Sequence, residues 1–148
     1  MSEEIIKDKT VCRAWVVFTG KTDIGWLRIL KRGFRHCFVL LNDGSRWVSI
    51  DPLAGFTDVH IYHDVKTDFN LPAALRLNGY EVIPANLNHK HTKPAPVMVF
   101  TCVESIKRIL GIHSRFIVTP WQLYRHLKAA QKPDKFHYTE KGDAVWAH

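Results

Sequence analysis

The sequence predicts an α+β fold, on three observations. Asn42-Asp43-Gly44-Ser45 separates two apolar runs, Phe34 to Leu41 and Arg46 to Asp51. An Asp-Gly in that place is among the strongest short signals for an antiparallel hairpin. Further short runs of branched and aromatic residues supply more strands, and two segments carry the cap chemistry of short helices.

In chain order, residues 1–9 read as a loose arm. Val11 to Phe18 is a strand closed by Gly20, and Asp23 to Leu30 is a short helix or an irregular segment ended by Gly33. The hairpin follows, and Pro52-Leu53-Ala54-Gly55 breaks its second strand. Val59 to Val65 reads as a strand, Leu71 to Leu77 as a short helix, and Tyr80 to Ile83 as a strand. Asn86 to Pro96 is polar and aperiodic, hence a loop, and Val97 to Phe100 leads into the next helix.

That helix is the centre of interest. Thr101 and Glu104 have capping-box spacing, in which the threonine oxygen and the glutamate carboxylate each satisfy a free amide. Val103, Ile106, Ile109 and Leu110 form an apolar stripe at helical spacing, and Gly111 suits the position just past the end. Cys102 therefore opens a helix, where free amides and the helix dipole favour the thiolate. A lone cysteine is more often a small buried apolar residue, so Cys102 needs a partner base. Phe116 to Val118 reads as a short strand. Thr119-Pro120-Trp121-Gln122 starts a second capped helix carrying Leu123, Tyr124 and Leu127 and ending by Ala130. From Gln131 onward the chain reads as a peripheral tail.

Composition bounds the function. A length of 148 residues suits one domain, and 46% hydrophobic with 24% charged residues describes a globular chain. No apolar run approaches the ~20 residues of a membrane span. The polar start, Met1-Ser2-Glu3-Glu4, does not read as a secretory signal. Cys12, Cys37 and Cys102 are odd in number and widely spaced, which argues against a disulfide framework or a CxxC metal pair and for a reducing compartment. The net charge of +7 suits an acidic partner: nucleic acid, a phosphate-rich cell wall or an acidic protein. Its cations are scattered in loose groups, Lys107-Arg108 among them, and read as a solvated surface with only a weak nucleic-acid signal.

The candidate base comes from the hairpin. With Asp43-Gly44 as the two central turn residues, Asn42 pairs with Ser45, Leu40 with Trp47, Phe38 with Ser49 and His36 with Asp51. Directly opposed residues share a face, so a histidine meets a carboxylate, the partner a catalytic imidazole needs. A three-residue loop would instead put His36 opposite Ile50. A His–Asp pair that merely staples the hairpin is the simpler alternative. Cys37 adjoins His36 but alternates to the other face, so these two do not act as a pair. His60 and His63 also point opposite ways, and His89 and His91 lie in a lysine-containing loop. A zinc site from His36, Asp51 and Cys102 lacks a fourth ligand.

The order of these parts resembles the circularly permuted papain-like cysteine hydrolases, relatives of NlpC-type cell-wall peptidases and of lecithin retinol acyltransferase. The resemblance rests on Arg35-His36-Cys37-Phe38-Val39-Leu40, Val48-Ser49-Ile50-Asp51 and Thr101-Cys102-Val103-Glu104-Ser105, and covers roughly Phe34 to Leu110. It implies a small antiparallel sheet packed against the cysteine helix and a thioester formed on Cys102. His36 would act as base and Asp51 as its orienter, with Ser49 in reserve and no cofactor. The Cys102 amide would be one oxyanion donor, with a second unassigned. The substrate implied is an amide, in a peptide or peptidoglycan stem, and the setting cytoplasmic or virion-associated, as for a phage wall hydrolase. The alternative is a non-catalytic binding or assembly module on the same fold, including a basic nucleic-acid-associated protein.

These two readings separate in solution. Scattered positive charge predicts weak nucleic-acid binding without sequence preference at physiological salt, read by fluorescence anisotropy. Tight, sequence-selective binding would favour the binding module.

Overall fold

A computed structural model describes residues 12–21, 29–53, 55–88 and 101–131. The expected N-terminal arm, most of the Asp23–Leu30 segment, His89 and His91, the Val97–Phe100 lead and the C-terminal tail lie outside the described residues. The chain is α+β. Its elements are β1 (Arg13–Thr19), β2 (His36–Asn42), β3 (Trp47–Pro52), β4 (Thr57–Tyr62), α1 (Leu71–Leu77), β5 (Glu81–Ala85), α2 (Cys102–Leu110) and α3 (Pro120–Ala130). The strands form one sheet in the order β4-β3-β2-β1-β5, with every neighbouring pair antiparallel.

Alternation along β1 and β2 gives the sheet two apolar faces. Ala14, Val16, Phe18, Cys37, Val39 and Ile83 point to one side, where Val103, Ile106 and Leu110 of α2 and Leu123 and Leu127 of α3 cover them. Val17, Leu40, Trp47 and Val82 point to the other, under Leu71 and Leu75 of α1. Each fully buried aliphatic side chain contributes roughly 1.5–3 kcal/mol, so the α2 stripe is enough to hold that short helix on the sheet. Among the described residues no helix is long and apolar enough to cross a membrane.

The hairpin turn differs from the expected one. The Asp43 carboxylate accepts from the amides of Ser45 and Arg46, both at 2.8 Å, and the Asp43 amide donates to the Arg46 carbonyl at 3.3 Å. Asp43 thus precedes the turn, and the central pair is Gly44-Ser45, with Gly44 at φ 88°. A positive φ at the first central position is what glycine permits in such a hairpin. Asn42 consequently pairs with Trp47, Leu41 with Val48, Leu40 with Ser49 and Val39 with Ile50. The register is offset by two residues from the sequence expectation, and the three-residue loop is also absent. An offset of two leaves every side chain on its expected face.

The helix ends follow their caps. Thr101 Oγ1 accepts from the Glu104 amide at 3.2 Å, and Gly111 closes α2 at φ 72°. The reciprocal half of the Thr101 capping box does not form, because the Glu104 carboxylate turns to Lys107 and Arg108. At α3 the box is complete: Thr119 Oγ1 accepts from the Gln122 amide, and Gln122 Oε1 accepts from Thr119. Gln122 Oε1 also takes the Val118 amide at 2.9 Å. No strand forms at 116–118; that stretch is the run-in to the cap.

Lys107 corrects a second expectation. It is not part of a solvated basic group: its Nζ donates to Glu104 Oε2 at 2.7 Å and to the Ile117 carbonyl at 3.2 Å, with the two side chains 2% and 5% exposed. Arg108 Nε donates to the other carboxylate oxygen at 3.2 Å. Burial alone would push the Glu104 carboxyl up, but these two cations outweigh it and hold it below its usual range. The pair ties α2 to the segment ahead of α3. Lys107→Ala, which strands a buried carboxylate, should cost about 3 kcal/mol in urea unfolding. Arg108→Ala, on a side chain 45% exposed, should cost less than about 1 kcal/mol. Equal losses would mean that the buried pair holds nothing its exposed neighbour does not.

Candidate active site

The local order of β2 and β3 places three side chains together. Hydrogen-bonded positions alternate along the ladder, from Asp43–Arg46 through Leu41–Val48 to Val39–Ile50. The next such position would join Cys37 to Pro52. Proline has no amide hydrogen to give across the ladder. The paired register ends at Val39–Ile50, while β3 continues its pairing with β4 through Pro52–Thr57. Beyond that point β2 and β3 part, and the site occupies the gap.

His36 stands on the β2 side of the gap and Asp51 on the β3 side. His36 Nε2 lies 2.6 Å from Asp51 Oδ1, with the side chains 16% and 30% exposed. The offset register makes them diagonal neighbours on one face, a spacing a histidine ring can span. The pair predicted from sequence therefore exists, although not through the direct opposition expected. Ser49 is not engaged with it: Tyr62 Oη donates to Ser49 Oγ at 3.4 Å.

Cys102 arrives from the other layer. The α2 stripe is buried on the sheet face that carries Cys37 and Val39, not on the face to which alternation assigns His36. The sulfur and the imidazole nonetheless lie near enough to shift each other's charge, and His36 begins its strand beyond the last β2–β3 pair. The Cys102 sulfur is close enough to the His36 ring and to Cys37 for both to stabilise its thiolate. With Nε2 held by Asp51, Nδ1 is the ring nitrogen left for the sulfur. As the first residues of α2, Cys102 and Val103 have amides that no intrahelical bond uses.

The charges follow from these contacts. The hydrogen bond from the Cys37 thiol is the largest influence on Cys102 and lowers its pKa. Burial opposes this, the hydrogen bond and positive charge of His36 reinforce it, and the thiol falls to about 5. Burial would lower the pKa of His36, but its hydrogen bonds to Asp51 and Cys102 and their negative charges carry it up to about 9. Thiolate and imidazolium therefore coexist between those limits. The other thiols differ: burial first, then contact with Cys102, pushes Cys37 well up, and burial with the Asp43 charge raises Cys12.

Among the described residues, no group of three or more His, Cys, Asp or Glu side chains could hold a metal ion, so the zinc alternative finds no site there. His60 is on exposed β4 against the Tyr62 ring, at 4.6 Å between centroids. Cys37 is the participant that sequence reasoning set aside. Its alternation away from His36 was read correctly, but that alternation points it at the cysteine helix. Pro52, at the end of β3, was the available signal. Comparison of the chain with protein-family models, with curated proteins and with solved structures gives no match.

Brief iodoacetamide treatment at neutral pH should label Cys102 ahead of Cys12 and Cys37. Its alkylation rate should fall as pH drops through about 5, where the thiolate takes a proton. His36→Ala should move that midpoint upward. Site-resolved mass spectrometry across a pH series reads both effects, and preferential labelling of another cysteine would remove Cys102 as the reactive thiol.

Proposed function

We propose that the protein is a cysteine-dependent hydrolase of amides, an amidase or peptidase of the permuted papain-like kind. Cys102 is its nucleophile, His36 its acid and base, and Asp51 the residue that orients the ring. The observation that carries this reading is the meeting of the Cys102 sulfur with the His36 ring, whose other nitrogen is held 2.6 Å from Asp51. Three chain segments contribute one group each. Stapling a hairpin would need only two of them.

The chemistry follows from the ground-state charges. The Cys102 thiolate attacks the amide carbonyl carbon, forming a C–S bond as the carbonyl π electrons move to oxygen. The amides at the α2 start are placed to donate to that oxyanion, and Cys102 and Val103 supply the pair that acyl transfer calls for. His36 gives its Nδ1 proton to the leaving nitrogen, the C–N bond breaks, and an amine departs from a thioester. Neutral His36 then takes a proton from water as the oxygen attacks the thioester. The C–S bond breaks, the acid leaves, and thiolate and imidazolium are restored. Asp51 fixes the ring tautomer and stabilises its cationic form throughout.

The substrate class is a peptide amide, and the net charge of +7 favours a substrate carried on an anionic polymer such as a cell-wall peptide. Peptidoglycan fragments with amide-linked stem peptides are the substrates to assay first. Cys102→Ala should abolish turnover and His36→Ala should reduce it about 10²–10⁴-fold, while far-ultraviolet circular dichroism stays unchanged. Asp51→Asn keeps an acceptor for Nε2 and should leave reduced, measurable activity. Mass spectrometry of a slow ester or amide substrate should trap an acyl group on Cys102. Turnover that survives Cys102→Ala would overturn the reading.

A further inference from the structure

We propose that β4 is a self-complementary edge through which two copies of this chain associate, antiparallel and centred on Val59, so that the sheet continues from one subunit into the next.

The open edge follows from the ladder between β3 and β4. The Leu53 amide donates to the Phe56 carbonyl at 2.9 Å, so hydrogen-bonded positions alternate from there through Asp51–Asp58 and Ser49–His60 to Trp47–Tyr62. Thr57, Val59 and Ile61 therefore turn their amides and carbonyls away from β3. β4 ends the sheet, and among the described residues no strand pairs with that outer side. The opposite edge is managed differently. β5 carries Pro84, and Gln131 Nε2, at the end of α3, donates to the Pro84 carbonyl at 3.3 Å. β4 has neither proline nor lysine, the residues that blunt an edge. Val59 is 57% exposed, and Phe56, just before the strand, is 65% exposed.

The strand itself names the occupant. A copy related by a two-fold axis must set outward-turned positions against outward-turned positions. Centred on Val59, the pairing opposes Val59 to itself and Thr57 to Ile61. The residues between them then meet as Asp58 with His60 of the partner subunit, twice over by symmetry. These are the closer, non-hydrogen-bonded positions, where an imidazole N–H can reach a carboxylate. Centring on Asp58 instead would oppose two carboxylates, and centring on His60 two imidazoles. Each of those registers loses both Asp–His pairs. Asp58 also lies directly across its own sheet from Asp51, a like charge, and has no ion-pair partner among the described residues. An imidazole on its other side offsets that opposition. On the second face, Val59 and Ile61 of both copies join one apolar strip continuous with Val48 and Ile50. A pairing over 57–61 alone is a small interface, of the class below about 1,200 Å² that associates reversibly.

The test needs no substrate and does not depend on the hydrolase reading. Sedimentation velocity of the whole chain between about 1 and 200 µM should show a reversible monomer–dimer equilibrium. A monomer at every concentration would overturn the proposal, whatever other strand the edge accepts. Single cysteine substitutions read the register. Val59→Cys should form an intermolecular disulfide on mild oxidation, because opposed hydrogen-bonded positions lie about 5.5 Å apart at Cα, within the span of a disulfide. Mass spectrometry of the linked peptides separates that bond from any made by Cys12, Cys37 or Cys102. Asp58→Cys or His60→Cys linking to itself in preference to Val59→Cys would overturn the proposal. Asp58→His and His60→Asp should each weaken association roughly 2–30-fold, and the two together should recover most of the loss, since opposite charges again meet across the axis. A double variant no tighter than the singles would also overturn it. The wild-type measurement decides the matter even where a variant does not fold.

Discussion

A missing amide hydrogen organises this site. Pro52 occupies a β3 position whose main chain should pair with β2, and because it cannot donate, the two strands separate after Val39 and Ile50. That separation sets an imidazole, a carboxylate and a helix start around one opening. His36 belongs to the first turn of β2 beyond the ladder, and Asp51 precedes the proline directly. Were the ladder to run on, the two strands would close the space beside His36 and Asp51. The constraint is local and covalent. It acts before any side chain is packed.

The rest of the fold holds α2 in register with that opening. Val103, Ile106 and Leu110 bury the helix on β1 and β2, and the Glu104–Lys107 pair fastens its other flank to the Ile117 carbonyl. Gly111 and Thr101 fix its two ends. The helix has little freedom to slide, so its first amides stay aimed at the gap. A nine-residue helix would be marginal alone; packing and the buried pair supply what its length does not.

Electrostatics within the opening is a balance of opposed effects. Burial alone would favour a neutral thiol and a neutral imidazole. Each is charged because the other is, and because Asp51 and the Cys37 thiol stand behind them. The same burial keeps Cys37 neutral while Cys102 ionises. Position on a helix start decides which is which.

The sequence by itself determined the local elements and several of their ends. Asp43-Gly44 marked the hairpin, Thr101 and Thr119 marked the helix starts, and the parity of β2 and β3 put His36 with Asp51. Cap chemistry and side-chain alternation act within a few residues, so they can be read from a string. Only the tertiary structure decided the register. Whether Asp43 sits inside the turn or before it depends on which amides its carboxylate captures, and both choices preserve the pattern of faces. It also decided that Lys107 is buried and that α2 lies on the Cys37 face. A lysine reads as solvated until a buried carboxylate and a carbonyl are brought to it, and a helix stripe does not name the sheet face that will cover it. The nearness of Cys37 and Cys102 was invisible for the same reason: they are 65 residues apart in the chain, and only the packing of α2 on the sheet brings them into one cluster.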